Sequence, residues 1–350
     1  MSTPRPPILI VGGGLAGTAV AWQLWKRQVP FMVVDPGKPD TTSRVAAGLV
    51  TPITGQRLKV SWRLEELLPE AQSFYQGIEQ ILGETFFRGS PMVRLFHNPR
   101  ELKFWEQRRH EADIQRWADV TSPASQVDAA LFHNELGSFG QKDAAWLDTG
   151  AYLDRSREFF MARQSWLRDE LDEAELHSSA EGVTWRGTTY AAIIFCRGAD
   201  ERTVSRFFPW LQWDCARGAL VSVKADIIEH RLIQRGGWLQ PRGEGTFRAG
   251  STYEFDFTRP IEESVEEVRV KLQGLLKVPF EITGAQLGIR PIVKRQQLIL
   301  GRHPVHERVL LLNGLGSKGV LRAPFFSRML VEHLLQNAPI EAEVDVRANA

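Results

Sequence analysis

The sequence is poor in the residues that build disulfide frameworks and metal clusters. Its 350 residues include only two cysteines, Cys196 and Cys215, and no C-x-x-C pair. This pattern argues against a disulfide scaffold and against a cysteine-ligated metal. The eight histidines also lack the i, i+4 pairing that places two metal ligands on one helix face. We therefore predict no metal site.

The sequence also lacks long apolar runs, and its net charge is close to zero. No run reaches the roughly 18 apolar residues of a membrane span. The first apolar run begins at residue 7, which leaves no room for a secretory signal, so we expect a reducing, cytoplasmic setting. Lys and Arg total 43 against 42 Asp and Glu, a net charge of +1. This balance gives no electrostatic argument for a nucleic-acid partner.

Glycine, by contrast, is plentiful, and a glycine motif follows the first apolar run. Residues 7–11 (PILIV) have the composition of a buried parallel strand. The next six residues, 12–17 (GGGLAG), fit the G-x-G-x-x-G fingerprint of dinucleotide-binding folds. A second apolar run ends at Asp35, close to the ~20-residue spacing expected for the acid that bonds ribose hydroxyls.

The fingerprint assigns a role to each position. Gly12 would make the tight turn, Gly14 would let the backbone approach a pyrophosphate, and Gly17 would let the helix pack on the strand. The amides of Leu15 and Ala16, together with the helix dipole, would face the phosphates. An ordinary strand–helix turn also uses glycines, but the order of strand, helix, strand and acid favours a dinucleotide. An acid rather than a basic residue at position 35 favours NAD or FAD over NADP.

A second glycine-rich loop follows the last apolar strand, residues 309–312, and precedes the closing helix. Its predicted cofactor contacts are Gly314, Gly316, Ser317, Lys318, Gly319 and Val320. A plain strand–helix turn would also need small residues here. Two such loops at opposite ends of the chain are better explained by one long ligand contacted twice, which suits FAD better than NAD. Lys318 and the loop amides would favour the anionic reduced flavin.

The order of the elements predicts two lobes. Parallel βαβ pieces occur at the start, middle and end of the chain, with antiparallel strands between them. Within these lobes we predict a helix over 99–117, another from about 150 to 171, and a strand over 173–177. The first lobe is predicted from 1–75, 145–215 and 290–350, and the second from 76–144 and 216–289. We expect an α/β protein: a Rossmann-like, glutathione-reductase-type parallel sheet domain that binds FAD, and an α+β substrate domain on a mainly antiparallel sheet.

Several segments together resemble the FAD-dependent oxidoreductases of the D-amino-acid oxidase, glycine oxidase and sarcosine oxidase superfamily, over nearly the whole chain. Besides the two glycine loops, they are 43–48 (SRVAAG), 195–199 (FCRGA), 217–218 (RG), 288–291 (GIRP) and 300–304 (LGRHP). The resemblance adds Ser43, Arg44, Ala47, Gly48 and Gly198 to the expected FAD contacts. It also implies a cofactor held without a covalent bond, because residues 291–304 contain no cysteine where sarcosine oxidases attach their flavin.

The resemblance further implies a set of catalytic candidates. Arg290 falls on the arginine that clamps the substrate carboxylate in amino-acid oxidases, although a structural ion pair is the alternative. Arg248 stands where sarcosine oxidases carry a lysine that helps oxygen react, and an arginine cannot donate a proton in the same way. Trp238 stands where glycine oxidases place a pocket tyrosine, so glycine is not a safe substrate assignment; core packing is the alternative. Lys318 completes the set.

We therefore predict an FAD-dependent enzyme that oxidises the C–N bond of an amino acid or secondary amine. Hydride would pass to flavin N5, and O2 or another acceptor would reoxidise the flavin. One alternative is an oxidoreductase that modifies an amine on a tRNA base, against which the near-neutral charge counts. Others are an FAD-dependent 2-hydroxy-acid dehydrogenase and a non-enzymatic FAD-binding protein. The sequence does not specify the oligomeric state.

Overall fold

The computed structural model describes residues 6–119, 126–201, 205–294 and 297–349. Its strands are β1 Ile8–Val11, β2 Phe31–Val34, β3 Leu49–Val50, β4 Ile53–Thr54, β5 Lys59–Val60, β6 Phe87–Gly89, β7 Met92–Leu95, β8 Ala118–Asp119, β9 Ser138–Gln141, β10 Ala145–Leu147, β11 Trp166–Leu167, β12 His177–Ser178, β13 Val183–Trp185, β14 Thr188–Tyr190, β15 Ala192–Phe195, β16 Ala216–Ala225, β17 Leu232–Arg235, β18 Gly237–Gly243, β19 Thr246–Gly250, β20 Phe280–Arg290, β21 Ile299–Arg302 and β22 Val309–Asn313.

Helices flank and connect these strands. The α-helices are α1 Leu15–Lys26, α2 Thr42–Val45, α3 Leu64–Leu82, α4 Pro99–Arg108, α5 Ala112–Trp117, α6 Thr149–Met161, α7 Ile261–Gln273 and α8 Gly319–Gln336. Short 3₁₀ turns occupy Glu173–Glu175, Gly198–Asp200 and Val346–Asn349. No helix among the residues described is long and apolar enough to cross a membrane.

A six-stranded sheet forms the centre of the first layer, in the order β11-β2-β1-β15-β22-β21. All its neighbouring pairs are parallel except β21–β22. Its central strands are apolar along their whole length because helices and further chain cover both faces. Adjacent strands come from distant parts of the sequence: Ile8 pairs with Ala192, and Ile193 pairs with Val309.

An eight-stranded sheet, in the order β20-β16-β19-β18-β17-β7-β9-β8, forms the second layer. Only its β17–β7 pair is parallel. One face packs on α7 through a cluster that includes Val93, Val221, Ile233, Leu239 and Phe247. Since side chains alternate along a strand, the opposite face carries a different set, which we call the polar face: Arg94, Gln234, Trp238, Gln240 and Arg248.

The expected α/β class, with mixed parallel and antiparallel sheets, is confirmed. Both sheets are assembled from separated segments, and the exact division of the chain into two domains stays a prediction. Two smaller antiparallel sheets, β3-β10-β6 and β12-β13-β14, and a β4–β5 hairpin complete the described strands.

Three local predictions differ from the structure. The predicted 99–117 helix is two helices, because Glu111 lies in extended conformation and starts α5. The helix predicted to end near 171 ends at Met161, because Gln164 adopts a left-handed backbone (φ 56°) and redirects the chain into β11 beside β2. The predicted strand over 173–177 is a 3₁₀ turn followed by β12.

A buried ion pair joins the polar face to α4. The Arg94 guanidinium donates to one carboxylate oxygen of Glu101, and its remaining bonds go to the carbonyls of Ile53 and Gly55. Both side chains are almost inaccessible, with exposed fractions of 6% and 4%. The second oxygen of Glu101 accepts the amide of His97. The pair therefore fastens α4, β7 and the β4 region together.

We expect Glu101→Ala to lower the free energy of unfolding by about 3–5 kcal/mol, because it leaves the Arg94 charge buried without its partner. Arg269→Ala, which removes a more exposed ion pair with Glu266 within α7, should lower it by less than ~1 kcal/mol. Urea denaturation of the two variants measures both values. Equal losses would show that burial of the Arg94–Glu101 pair is not what matters.

Candidate active site

The first glycine turn is built around backbone contacts that exclude side chains. Gly12 has a left-handed φ of 100°, and a Cβ there would lie 2.6 Å from the carbonyl oxygen of Cys196. A Cβ on Gly17 would lie 1.8 Å from the carbonyl oxygen of Gly12. These distances are too short for any side chain, so β1, β15 and α1 can meet only through glycine.

Asp35 lies against this turn. Its Oδ2 accepts the amide of Gly13 at 2.7 Å, and its Oδ1 accepts the amide of Gly37 at 2.8 Å. Each carboxylate oxygen has a second lone pair for a ligand hydroxyl. The indole of Trp166 covers Gly13, and its buried Nε1–H has no partner in the described part of the chain.

The N-terminus of α1 is open toward the same side. Its N-cap is Gly14, which supplies no side-chain cap. The amide of Leu15 donates to Ser43 Oγ at 3.0 Å. Ser43 therefore takes one of the donors that the sequence assigned to a phosphate.

Arg44 lies in the same cleft, but Asp154 holds it. Two bonds of 2.7 and 2.8 Å join the guanidinium to both carboxylate oxygens. The hydrogen bond from Arg44 lowers the pKa of Asp154, so the pair stays ionised. The cleft beside Asp35 is lined by Gly13, Gly14, Asp35, Gly37, Lys38, Thr41, Arg44, Leu153, Arg157 and Trp166.

The segment after α2 runs between the two sheets. Gly48 has a φ of 75°, and a Cβ there would lie 2.0 Å from the carbonyl oxygen of Leu147. The carbonyls of Val45 and Ala46 accept hydrogen bonds from Arg248 at 2.7 and 3.3 Å. Arg248 thus docks the eight-stranded sheet onto this segment, and burial lowers its pKa.

The second glycine loop meets the first. A Cβ on Gly319 would lie 3.0 Å from Leu15 Cδ1, so the N-termini of α1 and α8 are neighbours. Gly314 and Gly316 both have left-handed φ values, of 77° and 59°. Asn313 Nδ2 donates to the carbonyl of Gly198 at 3.0 Å and ties the ends of β22 and β15 together.

Lys318 is a buried cation at the N-terminus of α8. Its Nζ donates to Thr51 Oγ1 at 2.7 Å. Burial, and next the charge of Arg322, lower its pKa from 10.5 to about 8. A lysine in this state favours an anion close by, because an anion would offset the free-energy penalty of desolvating its charge.

Arg290 ends β20 on the opposite side of this region. Its Nη2 donates to Ser251 Oγ at 2.8 Å and to the carbonyl of Thr252 at 3.2 Å, and Nη1 donates to the carbonyl of Arg217 at 3.3 Å. The Nε–H and one Nη1–H have no acceptor in the described part of the chain. Burial lowers the pKa of Arg290, and its guanidinium carbon lies 5.1 Å from the Tyr253 ring centroid.

Trp238 and Gln240 lie on the polar face, between the strand of Arg248 and that of Gln234. The Trp238 ring packs over Gly250, where a Cβ would lie 3.0 Å from Cζ2. Gln240 is fully buried, and neither its amide oxygen nor its amide nitrogen has a partner in the described part of the chain. Such a group lowers stability unless a ligand or water satisfies it.

The structure thus groups the candidates around one region. The two loops, Gly198 and Lys318 are contiguous, and Arg248 contacts the 43–48 segment directly. Arg290 and Trp238 both contact the Gly250–Thr252 stretch. Sequence reasoning missed Thr51, Ser251 and Gln240. Gln240 could have been found, since a residue two positions from Trp238 in a strand shares its face.

Among the residues that the structure describes, no group of His, Cys, Asp and Glu could hold a metal ion. Both cysteines are buried and neither forms a disulfide, and burial raises the pKa of Cys196.

Similarity to known proteins extends over most of the chain. A family model described as DAO, FAD dependent oxidoreductase, matches residues 7–333. Glycine oxidase of Pseudomonas putida is 23% identical, over 95% of this chain and 95% of that protein. The tRNA 5-methylaminomethyl-2-thiouridine biosynthesis bifunctional protein MnmC of Marinobacter nauticus is also 23% identical, over 94% of this chain, which spans 56% of its length.

Solved structures share the fold. Glycine oxidase from Geobacillus kaustophilus superposes with a TM-score of 0.78 at 18% identity, over 97% of this chain and 96% of its own. Iminodiacetate oxidase from Chelativorans sp. BNC1 gives the same TM-score and identity, over 96% and 98% of the two chains.

The buried charge of Lys318 predicts a pH-dependent contribution to stability. Below about pH 8 the lysine is protonated in both the folded and the unfolded chain, and the folded state carries the full desolvation penalty. Between about pH 8 and 10.5 the unfolded chain binds more protons, so this group makes the folded state more stable as pH rises. This increase in the free energy of unfolding should reach about 3 kcal/mol in the cofactor-free protein.

Lys318→Met should remove this gain, whereas Lys103→Met, at an exposed position of α4, should keep it. Denaturant unfolding of the native chain and both variants at several pH values between 7 and 10.5 measures the difference. If Lys318→Met shows the same pH slope as the native chain, the lysine is not held in a desolvated state.

Proposed function

The chain belongs to the DAO family of FAD-dependent oxidoreductases, and from that premise we propose that it oxidises the C–N bond of a small amino acid or secondary amine. The observation that carries the proposal is Arg290, a half-buried guanidinium with two N–H donors left for a ligand. The glycine oxidase relatives support a small amine substrate.

The residues present fit FAD. Gly12 and Gly17 carry no side chains, so backbone atoms alone lie beside the N-terminus of α1 at these positions. A helix N-terminus is a favourable binding place for a pyrophosphate. Asp35 has lone pairs for ribose hydroxyls, and the unpartnered Nε1–H of Trp166 lies in the same cleft. When bound, FAD supplies the two-electron acceptor that amine oxidation requires. We propose that the cofactor is held without a covalent bond.

Lys318 would stabilise negative charge that develops during the reaction. Its Nζ and the amides at the N-terminus of α8 present positive charge at one place beside Thr51. They would stabilise negative charge that develops on a group bound there. Thr51 fixes the direction of the ammonium group.

Arg290 would orient the substrate. A guanidinium binds a carboxylate through two parallel hydrogen bonds, which fixes the position of the neighbouring carbon. Ser251 and Thr252 hold the guanidinium from one side and leave Nε–H and one Nη1–H for this role. The Tyr253 ring adds a cation–π contact to the same group.

The polar face would supply the rest of the pocket. Trp238 would offer an apolar wall, and the side-chain amide of Gln240 would offer its two N–H donors and its carbonyl oxygen as an acceptor. Arg248, whose donors go to Val45 and Ala46, would position the flavin-side segment.

A second candidate is amine modification on a tRNA base. The similarity to the bifunctional protein MnmC, over 94% of this chain, favours it. A panel of amino acids, secondary amines, 2-hydroxy acids and modified nucleosides, mixed anaerobically with the protein, separates these options. Loss of the flavin absorbance near ~450 nm reports turnover directly. Reduction of the flavin by a hydroxy acid but by no amine would overturn the proposal that the protein oxidises a C–N bond.

The cofactor itself gives the first expected outcome. The purified protein should be yellow, and acid precipitation should release all of its flavin as free FAD into the supernatant, because no cysteine lies in 291–304 to attach it. Absorbance and chromatography of the supernatant measure the released FAD. Pigment that stays with the precipitated chain would contradict the non-covalent proposal.

Arg290→Met tests the substrate clamp. It should lower kcat/KM for the carboxylate substrate by about 30- to several thousand-fold, which corresponds to roughly 2–5 kcal/mol of lost charged hydrogen bonding. FAD content and Tm should stay close to native values, because both glycine loops are intact. Arg269→Met, on the exposed side of α7, is the charge-matched control, because Glu266 is the one described residue that pairs with Arg269. A native rate in Arg290→Met would mean that Arg290 is structural.

A further inference from the structure

A second polar cavity lies on the first layer, away from the candidate active site. Its volume is about 530 Å³, within the range of small-molecule sites. It is lined by Arg302, His303, Pro304, Glu307, Arg308, His333, Asn337, Ala338, Pro339 and Arg347. The cavity is formed by the end of edge strand β21, the loop to β22, the C-terminus of α8 and the chain that follows it.

The helix α8 separates this cavity from the flavin loops. Lys318 precedes the first residue of α8, and His333 lies fifteen positions later, so the two ends are about 22 Å apart along the axis. β21 runs antiparallel to β22, so Arg302, at the end of β21, lies beside the start of β22. The loop after Asn313 follows the other end of β22. A ligand here would therefore contact neither FAD nor the substrate.

The cavity concentrates positive charge that carboxylates only partly offset. Arg347 is paired with Asp345. Arg302 and Arg308, in contrast, have no carboxylate within ion-pair distance in the described chain, and Glu307 is the one acidic residue among the lining side chains. Burial, and next the charge of Arg308, lower the pKa of Arg302. The cavity therefore brings together three guanidinium groups whose positive charge exceeds the negative charge of the nearby carboxylates.

Two of these guanidiniums have donors to spare. Arg302 donates from Nη1 to the carbonyl of Glu307 at 2.9 Å and from Nη2 to three oxygens at the end of α8, at 3.2–3.4 Å. Arg308 makes two bonds, of 3.2 and 3.3 Å, to the single carbonyl of Ala180. The Nε–H of Arg302 and both N–H groups of Arg308 Nη1 have no acceptor in the described chain.

His333 supplies an independent sign of a missing ligand. The residue is 7% exposed, and its Nδ1–H donates to the carbonyl of Ala338 at 2.7 Å. Its Nε2 is buried with no partner in the described chain. His303, in contrast, has both ring nitrogens bonded: Nε2–H donates to Phe207, and Nδ1 accepts from Val305 and His306. Of the two histidines that line the cavity, His333 is therefore the one with a ring nitrogen that no described residue binds.

We propose that this cavity is a binding site for a small phosphate-bearing molecule, with Arg302, Arg308 and Arg347 as its anion-binding groups and His333 Nε2 as a further polar contact. A phosphate monoester carries nearly two negative charges and three strong acceptor oxygens, which matches several guanidiniums better than a single carboxylate does. Nε2 can accept a hydrogen bond from a ligand hydroxyl or, once protonated, donate one to the phosphate.

The site can be tested on the FAD-saturated protein, in which the dinucleotide site is already filled. Isothermal titration with inorganic pyrophosphate and with AMP should show saturable one-to-one binding. Arg308→Gln, at the rim, should weaken it at least tenfold, and Arg302→Gln should do the same if that variant keeps its fold. Arg269→Gln, which removes a surface charge from α7, should bind as the native chain does.

Several outcomes would overturn the proposal. One is the absence of saturable binding of either probe at ~10 mM. Another is equal affinity in the native chain and in Arg308→Gln with unchanged Tm and FAD content. If succinate binds as tightly as pyrophosphate, the site is a carboxylate site; if only a short RNA binds, it is a nucleic-acid surface. All these results leave the proposed amine oxidation untouched, because substrate reduction of the flavin is measured separately.

Discussion

The structure depends on backbone meeting backbone at the carboxyl ends of β1, β15 and β22. Gly12 approaches the carbonyl of Cys196, Gly17 approaches the carbonyl of Gly12, and Gly319 touches Leu15. A single methyl group at Gly12 or Gly17 would separate these elements. The contacts fix two helix N-termini side by side, and their dipoles add at one point. The placement of Lys318, Thr51 and Asn313 follows from that convergence.

The parts of this arrangement that the sequence predicted depend on local rules. The glycine spacing and the apolar runs predicted the first turn and its strands, because the Gly12–Gly17 contact spans few residues and each strand is marked by its own apolar run. The predicted end of α6 was wrong, because residue type alone did not reveal the left-handed backbone at Gln164 or the pairing of β11 with β2. Gln240 was missed for a related reason: its unpartnered amide becomes visible only once β17, β18 and β19 lie side by side.

Charged residues show where motif matching and structure diverge. The resemblance to sarcosine oxidases suggested a part in the oxygen reaction for the position of Arg248, yet the donors of Arg248 go to the carbonyls of Val45 and Ala46. The resemblance also suggested a flavin contact for Arg44, yet Asp154 holds Arg44 through two bonds. A motif gives the neighbourhood of such a side chain. Its hydrogen-bond partners, which depend on distant segments, determine what it can do there.

The order of strands in the six-stranded sheet has a consequence for how the chain reaches its native state. β15 takes its place beside β1 after nearly two hundred residues, and its other edge pairs only with β22, much later in the chain. During synthesis an apolar strand edge therefore stays open while the five strands β16 to β20 of the eight-stranded sheet are made. Such edges are templates for misassembly, and closing loops of this length slows folding. The outer edge of β15 can be paired only after β22 has been made.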